Sequence, residues 1–161
     1  MLFRSLVGTK NGTGDTLRIH ALLTEAPMLR HFLTEVGYPF GCSVGEPGLL
    51  QSLSSTNDPH AWRFFQAGVD RDHATLAAMH PAYLAIEEAL TRFAGEGPHI
   101  DGAYEKMLQR VSEERLPLRL LPPYTTASEA AYRTFRRWLG ERYPHLLPGV
   151  PVADAGPAAG A

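Results

Sequence analysis

An all-α fold, arranged as a helical bundle, is predicted by three features of the sequence. Apolar residues recur at helical spacing in several segments. Capping and breaking residues fall at the ends of those segments. The alternating, β-branched runs that strands need are missing. With 161 residues the chain has room for one domain with a real core.

The elements follow in order. Met1 to Ser5 read like a translated adaptor, so residues 1–5 are expected to be a non-native start to a helical domain spanning 6–150 and truncated at its front. Gly8 to Asp15, with three glycines and an Asn-Gly pair, predict a loop. It lacks the Gly-Lys-Ser/Thr ending of a phosphate loop. Leu17, Ala21, Leu22 and Glu25 predict a short helix from Thr16. Pro27 then suits the first turn of a second, with Met28, Leu29, Phe32, Leu33 and Val36 on one face and Gly37 as its stop. Residues 37–48 hold four glycines and two prolines and predict a loop. Leu49 to Leu53 suit a helical turn before the polar break from Ser54 to Pro59.

Asp70 or Asp72 is placed to cap a long helix from Leu76 to Phe93, with Pro81 as a kink or restart. Asp101 opens a helix bearing Tyr104, Met107, Leu108 and Val111. Thr126 and Glu129 have capping-box spacing ahead of a last helix with Tyr132, Phe135, Trp138 and Leu139 on one side. Arg133, Arg136 and Arg137 lie largely on its other side. Residues 151–161 are almost all Ala, Gly and Pro and predict a disordered tail.

Composition excludes several classes. Fifteen Lys and Arg against seventeen Asp and Glu give a net charge of −2, so no basic field is available to hold nucleic acid. A single cysteine, Cys42, cannot form an internal disulfide. No apolar run approaches the roughly 20 residues of a bilayer span. No membrane association and a cytoplasmic location are therefore expected.

Few motifs carry chemistry. Gly41-Cys42-Ser43-Val44-Gly45 matches the G-x-S-x-G nucleophile elbow, but no strand is predicted before it and Glu46-Pro47-Gly48 follows where a helix should start. None of the seven histidines forms an H-x-x-x-H or H-E-x-x-H pair. His145 stands apart, just beyond an arginine-bearing helix. There an imidazole could ligate haem iron, or a surface histidine could simply meet a helix end. Arg30, between Leu29 and Phe32, could pair with a carboxylate or lie solvated.

Taken in order, three stretches resemble the C-terminal half of the haem-dependent indoleamine and tryptophan 2,3-dioxygenase superfamily, nearest its monodechloroaminopyrrolnitrin-synthase-like branch. Met28 to Leu33 resembles a helix whose arginine meets a substrate carboxylate. Phe40 to Gln51 resembles the small-residue loop over the haem. Tyr132 to Leu146 resembles the last long helix, whose histidine holds iron. The resemblance implies haem as cofactor, with His145 as proximal iron ligand and Gly41, Ser43 and Gly45 at the cofactor. It also implies Arg30 and Ser43 at a small aromatic substrate, such as an indole or aromatic amino acid. It singles out no catalytic side chain. Only the Ala/Gly tail follows His145, where the dioxygenases carry a glycine-threonine-glycine loop. A chain without the family's front half is expected to be inactive. The alternative function is a non-catalytic helical protein-interaction module; self-association suits either.

Overall fold

The computed structural model describes residues 5–95 and 101–152. Expectations for the first four residues and for the tail from 153 lie outside them. The chain divides into two compact units. One holds Met1–Gln51 and Arg63–Leu84, the other Ser52–Trp62 and Ala85–Ala161.

The first unit departs from the all-α expectation. It contains a three-stranded parallel sheet in the order β1 (Gly8–Asn11), β2 (Arg30–Thr34), β3 (Gly48–Leu50). Two helices connect the strands, α1 (Thr16–Glu25) and α2 (Tyr38–Val44). Three local expectations are thereby corrected. The Gly8–Asp15 loop is half strand, the helix expected from Pro27 is a turn leading into β2, and the glycine-rich loop is mostly α2.

The physical reasons are visible in each case. β2 is paired on both sides, with Phe32 opposite Lys10 and Gly48, and Leu33 opposite Asn11 and Leu49. His31 and Leu33 are buried while Arg30 and Phe32 are exposed, which is the period-two pattern of a strand. β1 carries no large apolar residue and is recruited by its partner. The Thr9 hydroxyl lies 2.8 Å from His31 Nδ1, and His31 Nε2 donates to the Ala26 carbonyl at 3.0 Å. In α2, Pro39 fits the first turn. Gly41 costs helix propensity, but a Cβ there would meet Leu33 Cδ1 at 2.4 Å. The glycine lets α2 lie on β2.

α1 forms where expected. Asp15 Oδ1 accepts from the Leu17 and Arg18 amides at 2.9 and 3.2 Å. Its contact with α2 places both connecting helices on one sheet face. That side of the unit buries Ile19, Leu33, Tyr38, Phe64, Leu76 and Tyr83. The Tyr38 hydroxyl donates to the Phe65 carbonyl at 2.8 Å. Phe64 meets Tyr83 edge-on at 4.5 Å between centroids.

Unit boundaries fall inside α3 (Asp58–Val69) and α4 (His73–Ala94). Of the two proposed caps, Asp72 serves α4. It accepts from the Thr75 amide at 3.0 Å and hydroxyl at 2.6 Å, and these bonds hold its carboxyl below the usual range. α4 continues through Pro81.

The second unit is helical. α5 (Asp101–Ser112) and α6 (Glu129–Arg142) agree with their apolar patterns, burying Met107, Leu108, Val111, Tyr132, Phe135 and Leu139. The α6 cap differs from the expected box. Ser128 accepts from the Ala131 amide at 3.0 Å, while Thr126 accepts from the Leu120 amide at 2.9 Å. Arg110 joins α5 to α6 through a 2.6 Å ion pair with Glu129, and its carbonyl accepts from the Tyr132 hydroxyl at 3.0 Å.

Asn57, just ahead of α3, ties the end of the unit down. Its Nδ2 donates to the carbonyls of His145, Leu147 and Val150 at 3.0, 3.1 and 3.1 Å. Its Oδ1 accepts from the His60 amide at 3.1 Å. Asn57→Ala removes a helix cap and the donor shared by three carbonyls. The expected loss is about 2–4 kcal/mol of stability, measured by urea unfolding.

Candidate functional site

The residues singled out by sequence are spread over both units. Arg30 lies on β2 rather than on a helix, and its guanidinium donates to the Glu46 carbonyl at 2.7 Å. Ser43 is in the last turn of α2 and donates to the Phe40 carbonyl at 2.7 Å. It is therefore also not at a nucleophile elbow. The space that Gly41 leaves is filled by Leu33 and Pro47, and Gly45 ends α2 against Leu23. These small residues seat the protein's own side chains.

Arg30, Gly41, Ser43 and Gly45 belong to the first unit and His145 to the second. His145 is exposed on a 3-10 turn (Pro144–Leu146), its ring 5.4 Å from that of His60 between centroids. Among the described residues no group of three or more His, Cys, Asp or Glu is placed to hold a metal ion. No described helix is long and apolar enough to cross a membrane.

Two features of the first unit were not singled out from sequence. The first is a partly buried polar cluster at the carboxyl ends of β2 and β3. It comprises Glu35 just after β2, Gln51 just after β3, and His80 and Tyr83 on α4. Tyr83 is fully buried and hydrogen-bonds to Gln51. Burial, reinforced by the Glu35 charge, raises its phenol well above the usual range. Burial holds the His80 imidazole below its ordinary value of 6.5, against the opposing pull of the Glu35 and Val36 carbonyls. Phe64 stacks near the His80 ring at 6.4 Å. These surroundings favour the neutral imidazole of His80 and the neutral phenol of Tyr83.

These residues sit where ligands commonly meet parallel sheets, beyond the carboxyl ends of the strands. The signal lay in Glu35, one residue beyond Phe32-Leu33, and Gln51, directly after Leu49-Leu50. It is legible only once those pairs are known to be strands.

The second feature is the sheet face opposite α1 and α2. In-register residues share a face, so Gly8, Lys10, Arg30, Phe32, Thr34, Gly48 and Leu50 all lie on it. The Phe32 ring spreads over Gly48, where a Cβ would stand 2.6 Å from Cδ1, and reaches toward Gly8. Phe32 and Leu50 remain 41% and 39% exposed.

The His80 environment sets a pH dependence. Its folded pKa is depressed, so its contribution to stability is complete above 6.5. As pH falls below 6.5 the unfolded chain binds the proton first and that contribution is lost. The stability lost between pH 7.5 and 5.5 in chemical denaturation is expected to be smaller in His80→Gln than in the parent.

Comparison with protein-family models, characterised proteins and solved structures finds no match for this chain.

Proposed function

We propose that this chain is a non-catalytic interaction module, and that the open face of its sheet seats an amphipathic helix bearing acidic residues. One observation carries the reading. Parallel sheets are ordinarily covered on both faces, yet here one face carries an exposed phenylalanine and leucine. The charged strand residues on that face, Lys10 and Arg30, are both basic and both exposed. An apolar stripe would meet Phe32 and Leu50, and flanking carboxylates would meet the two cations. Gly8 and Gly48 make room for the Phe32 ring to lie across the strands, which keeps the face low. A second copy of the same face would set like charges together and is the poorer occupant.

A synthetic amphipathic helix with glutamates flanking a leucine stripe tests the reading by fluorescence anisotropy. Saturable binding is expected. The double variant Lys10→Glu, Arg30→Glu should weaken it by about tenfold or more and favour a peptide with lysines in place of the glutamates. No saturable binding, or binding indifferent to both charge changes, overturns the proposal.

The haem-binding oxygenase with His145 on iron is a separate proposal. The exposed imidazole of His145 is the observation that leaves a ligand within reach. Haem, when bound, would supply dioxygen activation, which no side chain of this chain provides. Haemin titration of the parent and of His145→Ala tests this proposal, and equal absorbance in the two would overturn ligation by His145. A Soret band present in the parent and lost in the variant would favour the haem reading.

A further inference from the structure

The second unit contains a groove of about 470 Å³, within the size range of small-molecule sites. One side is the segment Ser54–Pro59 leading into α3. Opposite are Gln109 and Ser112 of α5, and the turn Pro148–Pro151 closes the end. That turn has Pro148 and Gly149 at its centre, with Gly149 at φ 74°, and closes with the Val150 amide donating to the Leu147 carbonyl at 3.3 Å. Asn57 anchors it from beneath.

The groove's chemistry leans toward acceptors, because the side-chain donors of Ser55, Thr56, Asn57 and Ser112 are already spent. Ser55 donates its hydroxyl proton to the Ser52 carbonyl at 2.7 Å, and Thr56 to Leu53 at 2.8 Å. The Ser112 hydroxyl lies 2.5 Å from the Ser55 carbonyl and 3.0 Å from that of Gln109. The Asn57 amide hydrogens are taken by the carbonyls of His145, Leu147 and Val150. What these side chains still offer is oxygen lone pairs.

The start of α3 adds no anion site. Pro59 has no N–H, the His60 amide donates to Asn57 Oδ1, and the Ala61 amide donates to the Asn57 carbonyl. The charged residue lining the groove is Asp58, which is exposed. Pro59, Pro148, Val150 and Pro151 supply apolar wall.

We infer that this groove binds an organic cation, an alkylammonium or guanidinium group. Its charge would rest on Asp58, its N–H donors would meet the hydroxyl oxygens, and its methylenes would lie on the proline wall. An anion would meet lone pairs and a carboxylate. A neutral polyol would leave the Asp58 charge without a counter-charge. The same head group occurs on free amines and on Lys or Arg side chains of peptides, and the test separates these sources.

The test titrates the full chain with agmatine, with an end-blocked Gly-Arg-Gly peptide and with neutral N-butylacetamide, followed by amide chemical shifts. Saturable shifts at Ser54–Asp58 and Ser112 are expected with the cations. Tighter binding of agmatine assigns the groove to free amines, and tighter binding of the peptide assigns it to a protein segment. Asp58→Asn should weaken either cation about tenfold. Gln109→Glu, which adds a second carboxylate at the rim, should tighten binding about threefold or more. This gain cannot arise from misfolding. Absence of saturable shifts, equal binding of the neutral amide, or affinities unmoved by both substitutions overturns the inference.

Discussion

Backbone pairing along both edges of β2 is the constraint on which the first unit depends. Once Arg30–Thr34 is extended and bonded to β1 and β3, alternation sends His31 and Leu33 to one face and Arg30 and Phe32 to the other. The inward residues then dictate their surroundings. Leu33 requires a glycine at 41 for α2 to lie close. His31 reaches Thr9 on one side and Ala26 on the other, binding the neighbouring strand and the end of α1 to the same imidazole. A strand without large apolar residues, β1, persists because its hydrogen bonds and the threonine contact are supplied by its neighbour.

The same pairing arranges the polar chemistry. Glu35 and Gln51 follow their strands directly, so the parallel order brings both to one end of the sheet, where α4 supplies His80 and Tyr83. A buried carboxylate beside a phenol and an imidazole held neutral is a costly arrangement unless its members are mutually satisfied. The outward residues produce the opposite situation, an apolar and basic face with exposed aromatic surface. A short parallel sheet with helices on one side thus has a packed, polar-tipped interior face and an adhesive exterior one.

In the second unit, one amide side chain does comparable work. Asn57 caps α3 through its oxygen and fastens three carbonyls near the chain's end through its nitrogen. Hydroxyls and amides around it are committed to backbone acceptors. The adjoining groove therefore presents the lone pairs of these side chains, beside the Asp58 carboxylate and the exposed Gln109 amide.

The sequence by itself determined what depends on neighbours a few residues away. Helices α1, α4, α5 and α6 were legible because caps such as Asp15 and Asp72 and apolar residues at i, i+3 and i+4 act within one segment. Tertiary structure decided the rest. Met28, Leu29, Phe32, Leu33 and Val36 fit a helical face as well as a strand, and only pairing with segments about twenty residues away selects the strand. Gly41 in α2 looks like a loop residue until Leu33 is placed against it. The capping box at Thr126 failed because Thr126 is drawn to the Leu120 amide across a connector, leaving Ser128 to cap α6. For the candidate sites the divide is sharper. Arg30, Ser43 and His145 were conspicuous in sequence, yet Arg30 and Ser43 are engaged by backbone carbonyls. Lys10, Glu35, Asn57 and Asp58 carry no local signal, because what each can bind is set by residues that only folding brings beside it.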